Sequence, residues 1–243
     1  MLIAVVGTSG LGRVAGVPSS SPAALLRVVA DRPDQQVVVL APDHTLATAQ
    51  RQADLVAAAR PSAQVSVLAS PHHALTLTVV ADRILASSPW LTGTEEFLGR
   101  VRAELSTARS LVWSPSAWRV RGVPLSLGAR LRCLVGGRGP ILELDPQTST
   151  ARDGWRPRAD DHVFLAGPVP DRLAAQLGPG RRQLVDTEIE DSPYAPRPAR
   201  LLTALPATPA DAAGSPGPKR STPLDPPIDR PRPTAVTQES EAA

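Results

Sequence analysis

Eight residues in three short turns carry groups that could recognise a small anion. They offer hydroxyls, imidazoles, a carboxylate and a glycine that lets a ligand approach the backbone closely. These residues are Thr8, Ser9 and Gly10 in the first turn, Asp43, His44 and Thr45 in the second, and His72 and His73 in the third. Hydrogen-bond donors of this kind suit phosphate or carboxylate groups, so the residue types predict binding of an anionic ligand.

The elements ahead of these turns should bring them to one place. Three compact apolar runs at 2–6, 36–41 and 64–69 have the texture of strands buried on both faces, and segments with helical spacing of apolar residues separate them. A β-α-β-α-β order predicts a Rossmann-like α/β fold, with a parallel sheet and helices on both of its faces. Because the carboxyl ends of parallel strands share one edge, all three turns are expected at that edge.

Two further segments are predicted to be helices. Residues 74–86 place apolar side chains on a helical face, although their β-branched content would also suit a strand, and we predict a helix. Residues 92–109 begin with Thr92 or Thr94 as a cap and carry Glu95 and Glu96 in the first turn, where acidic groups favour the helix dipole.

Helix-start signals stand at the same turns as the polar residues. Ser21, Asp43 and Ser70 are each adjacent to a proline and are compatible with capping positions. Helix amino termini present free N–H groups and partial positive charge, which again favours an anion. The dipole should keep His72 and His73 neutral if they lie in a first turn.

The opening segment contains the glycine spacing Gly7-x-x-Gly10-x-Gly12, which is also found in dinucleotide-binding loops. Those loops lead directly into a helix, whereas here Gly16, Pro18 and three serines delay the helix to about residue 21. An acidic residue at the end of the second strand, which would bind a ribose, is missing, and there is no Gly-Lys-Ser/Thr. We therefore do not expect a conventional dinucleotide or Walker-type site.

Residues 1–70 resemble the start of CARF domains, the Rossmann-like sensors of cyclic oligoadenylates in prokaryotic defence. The resemblance rests on a short strand ending in VGTS, an irregular loop, a helix, and a strand followed by APDHTLATAQRQADLV. It implies a dimeric sensor whose loops touch a nucleotide. By position, it would assign nucleotide contacts to Thr8, Ser9 and Thr45.

Two other chemistries are conceivable at the same edge. His44, His72 and His73, with Asp43, could form a metal site, but their spacing matches no established ligand motif. Ser9 with His44 or His72 could form a nucleophile and base, but there is no Gly-x-Ser-x-Gly elbow. We expect no catalytic residue, no metal and no cofactor.

The region after residue 110 changes to short strands separated by glycine and proline. It should form a smaller β-rich element over 111–191, packed on or extending the Rossmann-like domain of 1–110, with a short helix at 170–177. Its arginine pairs could line a nucleic-acid surface near Trp113 and Trp118, but a solvated strand face is the favoured interpretation. These pairs are Arg119 with Arg121 and Arg130 with Arg132. Cys133 is expected to be an inert buried thiol.

A third region begins at residue 192. Of the 27 prolines, 12 lie between Pro193 and Pro233, so 192–243 is predicted to be a Pro-rich disordered tail that could recruit a protein partner. The net charge of +3 is too small to demand a nucleic-acid partner, and no apolar run is long enough for a membrane span. A single cysteine fits a reducing compartment, so a cytoplasmic protein is expected.

These observations together predict a sensor or adaptor module that binds a small anionic ligand, plausibly a nucleotide, without catalysing a reaction. The alternatives are a small hydrolase or nucleotide-dependent enzyme that uses the same edge, and an interaction scaffold with no ligand. The residues leave open whether the chain forms a homodimer.

Overall fold

A computed structural model describes most of the first 207 residues. The described residues are 1–30, 36–113, 119–120, 123–124, 127, 131, 141–145, 151–153, 155–158, 160–177, 182–190 and 200–207. Cys133, Trp118, Arg121, Arg130, Arg132 and the predicted tail, except for residues 200–207, lie outside them.

Bounds are described for thirteen strands and five α-helices. The strands are β1 (Leu2–Val6), β2 (Gly10–Leu11), β3 (Val14–Val17), β4 (Gln36–Pro42), β5 (Gln64–Ser70), β6 (Arg109–Trp113), β7 (Arg119–Val120), β8 (Val123–Pro124), β9 (Ile141–Leu144), β10 (Ala151–Asp153), β11 (Asp161–Ala166), β12 (Arg182–Val185) and β13 (Arg200–Pro206). The helices are α1 (Ala24–Ala30), α2 (Leu46–Ala59), α3 (Ala74–Ser87), α4 (Thr94–Thr107) and α5 (Asp171–Leu177).

The first sheet has the order β2-β3-β1-β4-β5, and its four longer strands are parallel. The β1 side chains alternate between two cores. Ile3 and Val5 pack with α3 and α4, whereas Leu2, Ala4 and Val6 pack with α1 and α2. Burial on both faces explains the unbroken apolar run, and the predicted α/β fold with helices on both faces is confirmed.

Helix α3 forms where the sequence left strand and helix as competing interpretations. Nine of its 14 residues are buried, on every side of the helix. A helix that is apolar all round is buried between two layers, and the β-branched residues here belong to such a helix. One side of α3 faces the first sheet and the other side faces a second sheet.

The second sheet has the order β10-β9-β6-β13-β11-β12. Alternate residues of its strands pack against the layer of α3 and α4, for example Val112 and Leu201, or against α5, for example Leu111 and Leu202. The fold is therefore layered as helices, sheet, helices, sheet and helix. Helices α3 and α4 are the layer that the two sheets share.

Strand β13 corrects the predicted extent of the tail. Residues 200–206 pair with β6 on one side and with β11 on the other, so they lie inside the second sheet rather than in a disordered tail that begins at residue 192. The run Leu-Leu-Thr-Ala-Leu supplies the apolar surface that the proline-rich flanks lack. The proline-rich composition of the whole region predicted disorder, although this short apolar run lies within it.

The helix starts also differ from the predicted capping positions. Ser70 is the last residue of β5, and its hydroxyl accepts a bond from the N–H of His72, so it closes a turn and the N-cap of α3 is His73. Asp43 lies in a short 3-10 helix, Asp43–Thr45, whose N-cap is Pro42. The cap of α4 is Gly93, and Glu95 and Glu96 occupy its first turn as predicted.

Candidate functional site

A crevice opens at the carboxyl edge of the first sheet, between the ends of β1 and β4. The chain leaves β1 toward β3 on one side and leaves β4 toward β5 on the other, and such reversals of direction are where open α/β sheets bind ligands. The crevice has a volume of about 20 Å³, which is room for one or two water molecules. It is lined by Val6, Gly7, Ser19, Pro42, His44, Thr45, Ala74, Ile189 and Glu190.

The glycines beside the crevice shape a hairpin rather than a phosphate loop. Gly7, Gly10 and Gly12 have positive φ angles, and the chain between them turns back so that β3 lies parallel to β1. A Cβ on Gly10 would stand 2.6 Å from the backbone nitrogen of Gly16. The main chain at Gly10 can therefore lie this close to the main chain at Gly16 only because both residues lack a side chain. The spacing shared with dinucleotide loops has this structural cause.

Residues Thr187–Glu190, which we call the strap, cover the first polar turn. The N–H of Ser9 donates to the carbonyl of Glu188 at 2.9 Å, and the N–H of Glu190 donates to the carbonyl of Gly7 at 3.0 Å. The hydroxyls of Thr8 and Thr187 are 2.8 Å apart, and Thr8 is 2% exposed. The predicted ligand contacts of this turn are therefore engaged by the protein itself.

The strap ends on a carboxylate that contacts the crevice. The backbone N–H of Ser19 donates to both carboxylate oxygens of Glu190, at 3.0 and 2.9 Å, and the Ser19 hydroxyl donates to Oε2. Behind this loop, the fully buried Gln52 donates from Nε2 to the carbonyls of Pro18 and Ser21, at 3.0 and 2.8 Å. Gln52 thereby fixes the loop that presents the Ser19 donors.

The second polar turn stands at the mouth of the crevice. Asp43 and His44 are exposed and Thr45 is half-buried, and of these three His44 and Thr45 line the crevice. The Thr45 hydroxyl donates to the carbonyl of Pro42 at 2.9 Å, which holds the 3-10 turn. Two of the predicted site residues are therefore brought together with Gly7, which precedes the first polar turn.

The third turn lies deeper, under the second sheet. His72 and His73 are 6% and 0% exposed, and with Thr76 they meet two opposed residues of β6 and β13, Ser110 and Thr203. We call these five residues the polar cluster. Their burial follows from the sheet that covers them, which the order of early strands alone did not reveal.

Hydroxyls connect the polar cluster. The Thr76 Oγ1 atom is 2.8 Å from the Ser110 Oγ and 3.0 Å from the Thr203 Oγ1, and the Ser110 Oγ is 2.9 Å from the His72 Nδ1. All of these groups are buried, and buried polar groups that satisfy one another stabilise a unique packing arrangement.

Burial keeps both imidazoles neutral. Desolvation lowers the pKa of His72, and the carboxylate of Asp43 and the carbonyl of Leu105 offset part of that effect. Desolvation, aided by the neighbouring His72, lowers the pKa of His73 to about 3. The sequence predicted neutral rings from the helix dipole, whereas the largest cause of the lowered pKa values is desolvation by burial.

The metal and nucleophile arrangements considered from the sequence are not assembled in the described part of the chain. No three His, Cys, Asp or Glu side chains come together there in a way that could hold a metal ion. The Ser9 hydroxyl accepts a bond from the backbone N–H of Glu188, while the His72 ring contacts Ser110. Trp113, considered as a base-stacking residue, is 2% exposed in the core beneath α5.

Several residues of the site were not found from the sequence. In the sequence, Ser19 belongs to a run of serines before the first helix, and Glu190 lies 171 residues away from it. No sequence motif marks Thr76, Ser110 or Thr203 as members of the polar cluster. Only a strand assignment for 200–206 could have placed Thr203 opposite Ser110.

The two sheets and the helix layer between them define the class as a layered α/β protein. Solved structures of the DegV family share this fold. A DegV family protein from Corynebacterium glutamicum is 12% identical, with a TM-score of 0.52 over 85% of this chain and 97% of that one. The fatty acid kinase B3 protein of Streptococcus pneumoniae, whose structure is loaded with linoleic acid, is 12% identical, with a TM-score of 0.52 over 86% of this chain and 100% of that one.

A third solved structure, a DegV family protein from Thermus thermophilus described as binding fatty acid, is 14% identical with a TM-score of 0.51. The match covers 84% of this chain and 99% of that one. No protein-family model matches the sequence, and no curated protein matches it.

These matches show that the CARF resemblance was wrong. The three solved structures described above match most of this chain and are DegV family proteins, not cyclic-oligonucleotide sensors. The segments that carried the resemblance reflect a strand-loop-helix order common to unrelated Rossmann-like sheets. In the described residues, no helix is both long and apolar enough to cross a membrane.

Proposed function

We propose that this chain binds a small ligand with a carboxylate head and an apolar body, in the class of a fatty acid, and does not transform it. The observation that carries the proposal is the carboxylate of Glu190, which the backbone N–H and hydroxyl of Ser19 hold at the crevice. Donors that bind the protein's own carboxylate have the chemistry to bind a ligand's carboxylate.

The walls of the crevice suit the rest of such a ligand. Val6, Pro42, Ala74 and Ile189 provide an apolar lining around a few polar groups, which is the usual composition of small-molecule sites. His44 and Thr45 are the proposed polar contacts at the mouth. The other predicted site residues, Thr8, Ser9, Gly10, Asp43, His72 and His73, are proposed to position the crevice through their internal bonds.

The fold similarity supports the same ligand class. The proteins from S. pneumoniae and T. thermophilus are described with fatty acid, and their fold matches most of this chain. The crevice as it stands is far smaller than the 300–1,000 Å³ typical of ligand pockets, so binding an acyl chain requires it to open.

Ligand-induced stabilisation tests the proposal. Stearate, octadecan-1-ol, AMP and a cyclic oligoadenylate are titrated separately, with thermal unfolding and calorimetry as the readouts. A ligand that binds only the native state raises the Tm with its concentration, and we expect this from stearate but not from the nucleotides. Stabilisation by a nucleotide alone, or by none of the four, contradicts the proposal.

A matched pair of variants locates the ligand. Ala74→Leu fills the crevice, so we expect it to reduce the stearate-induced rise in Tm. Ala58→Leu adds the same atoms to the exposed face of α2 and should leave that rise unchanged. An equal stearate response in both variants would place the ligand elsewhere.

A further inference from the structure

The geometry points to Glu190 as an internal occupant of the carboxylate-binding donors, which we propose an incoming ligand carboxylate displaces. The inference rests on the proposed function in placing the ligand's head group at the crevice. It adds a regulatory contact, in which the strap closes the crevice until a competing carboxylate takes the Ser19 donors.

Ser19 acts as a cradle for one carboxylate. Its N–H reaches both oxygens of Glu190 at nearly equal distances, and its hydroxyl adds a bond to one of them. In the described part of the chain, the charge of Glu190 is met by these hydrogen bonds and by no ion pair. Any other carboxylate can make the same hydrogen bonds to the Ser19 donors.

The cradle is held in place independently of its occupant. Gln52 is 0% exposed and donates to the carbonyls of Pro18 and Ser21, which flank Ser19 in the sequence. Removing the Glu190 carboxylate should therefore leave the donors oriented and vacant. This is the preorganisation that ligand binding requires.

Within the described residues, the other hydrogen bonds of the strap run to one short turn, residues 7–9. The N–H of Ser9 donates to Glu188, the N–H of Glu190 donates to Gly7, and the hydroxyl of Thr187 bonds with that of Thr8. Ile189 and Glu190 are half-buried and line the crevice directly. Movement of this segment would open the crevice between the ends of β1 and β4 without breaking either sheet.

Glu190→Gln, Glu190→Ala and a control on the same strap separate the carboxylate from the segment that carries it. Glu188→Gln is the control, because Glu188 is exposed and contributes only its backbone to the bonds described. Hydrogen bonds to a charged group are stronger than those to a neutral one. The glutamine of Glu190→Gln therefore binds the Ser19 donors more weakly than the parent carboxylate, and the alanine of Glu190→Ala does not bind them.

The first measurement is stearate affinity by calorimetry. We expect both Glu190 variants to bind stearate at least about tenfold more tightly than the parent chain, and Glu188→Gln to match the parent. Octadecan-1-ol, which lacks the carboxylate, should show a smaller gain. Stearate binding that is equal or weaker in the Glu190 variants overturns the inference while leaving the proposed function standing.

The second measurement does not depend on a fatty acid. Acetate is titrated while the amide resonance of Ser19 is followed by NMR in the full chain. The resonance should shift saturably in Glu190→Ala at a lower acetate concentration than in the parent and in Glu188→Gln, where acetate must compete with Glu190. If acetate does not shift the Ser19 amide resonance in Glu190→Ala, the inference that Ser19 binds a carboxylate is contradicted. A Ser19 shift with acetate, without stearate binding by any variant, supports the cradle and contradicts the fatty acid.

Discussion

The Nδ1 atom of His73 accepts a hydrogen bond from the backbone N–H of Thr76 at 3.2 Å, so a histidine caps helix α3. Since Nδ1 is the acceptor, the proton of the neutral ring is on Nε2, which is 3.0 Å from the carbonyl of Leu202 in β13. One ring thus joins the start of the central helix to the second sheet. The join requires the ring to stay neutral.

The neutral ring predicts a loss of stability in mild acid. The native pKa of His73 is about 3, and its ordinary value is 6.5, so between these values the unfolded chain binds a proton that the native chain does not. The free energy of unfolding must therefore fall as the pH drops below about 6.5, by up to about 1.4 kcal/mol per pH unit for this group. The lowered pKa of His72 acts in the same direction.

Urea unfolding between pH 7.5 and pH 5 measures this dependence, with His73→Asn as the comparison. Asparagine can still accept from the N–H of Thr76 but does not titrate, so the variant should be less stable at pH 7.5 and show a shallower slope. An unchanged slope in His73→Asn would contradict the assignment of the acid sensitivity to this ring.

The hydroxyl of Thr76 should matter more than the hydroxyl of Thr78, one half-turn further along the same helix. Both residues are 0% exposed. Thr76 contacts Ser110 and Thr203, whereas the Thr78 hydroxyl donates to the carbonyl of Ala74 in its own helix. Thr76→Val leaves two buried hydroxyls short of a partner and should cost about 1–3 kcal/mol, with a clearly smaller cost for Thr78→Val.

Chemical denaturation of the two isosteric variants tests the difference. If the two variants lose the same free energy of unfolding, the bonds of Thr76 to the second sheet contribute no more than the bond that Thr78 makes within α3. A double variant with Ser110→Ala should lose less than the sum of the two single changes, because the two hydroxyls share one bond.

Glycine 16 predicts a large effect of a single methyl group. A Cβ there would overlap the carbonyl carbon of Ser9 and the backbone nitrogen of Gly10, which are parts of the main chain and cannot rotate away. We expect Gly16→Ala to destabilise the fold by several kcal/mol, at about the level of an overpacked core. Gly99→Ala, at an exposed helical site with nothing within 4 Å, should instead stabilise by about 0.5–1 kcal/mol.

The Tm of each alanine variant, measured beside the parent chain, tests this contrast. A Gly16→Ala variant as stable as the parent would show that the hairpin can move aside. Close packing of the hairpin would then not explain the glycine spacing, and a role of these glycines in ligand binding would have to be considered again.

The sequence was sufficient for three of the five strands of the first sheet, whereas β2 and β3 form where it predicted only a loop before the first helix. The runs at 2–6, 36–41 and 64–69 correspond to β1, β4 and β5. Burial on both faces explains the apolar runs of β1 and β4, whereas β5 ends the strand order and is mostly half-buried. The same logic put the polar turns at one edge. It could not show that the second sheet covers His72 and His73, because that burial depends on pairings between residues about 90 positions apart.

The candidate site was accessible from the sequence only in part. His44 and Thr45 line the crevice where strand-end geometry predicted them. Ser19 and Glu190 carry no pattern, since a hydrogen bond across 171 residues depends on the whole topology. Anion recognition was inferred from residue types, and the carboxylate contact at the crevice is the feature of the structure that most closely matches it.

Strand β13 predicts where the chain can be shortened. Leu201, Leu202 and Leu205 are at most 7% exposed, and β13 pairs with β6 and β11 along nearly its whole length. A chain that ends at residue 199 loses these contacts and leaves the edges of two inner strands open, so we expect it to unfold or aggregate. A chain that ends at residue 207 retains every hydrogen bond of β13 described above, and should unfold cooperatively with a Tm close to that of the full chain. Circular dichroism melts and gel filtration of both truncations check the expectation, and a folded, monodisperse chain ending at residue 199 would show that the second sheet does not need this strand.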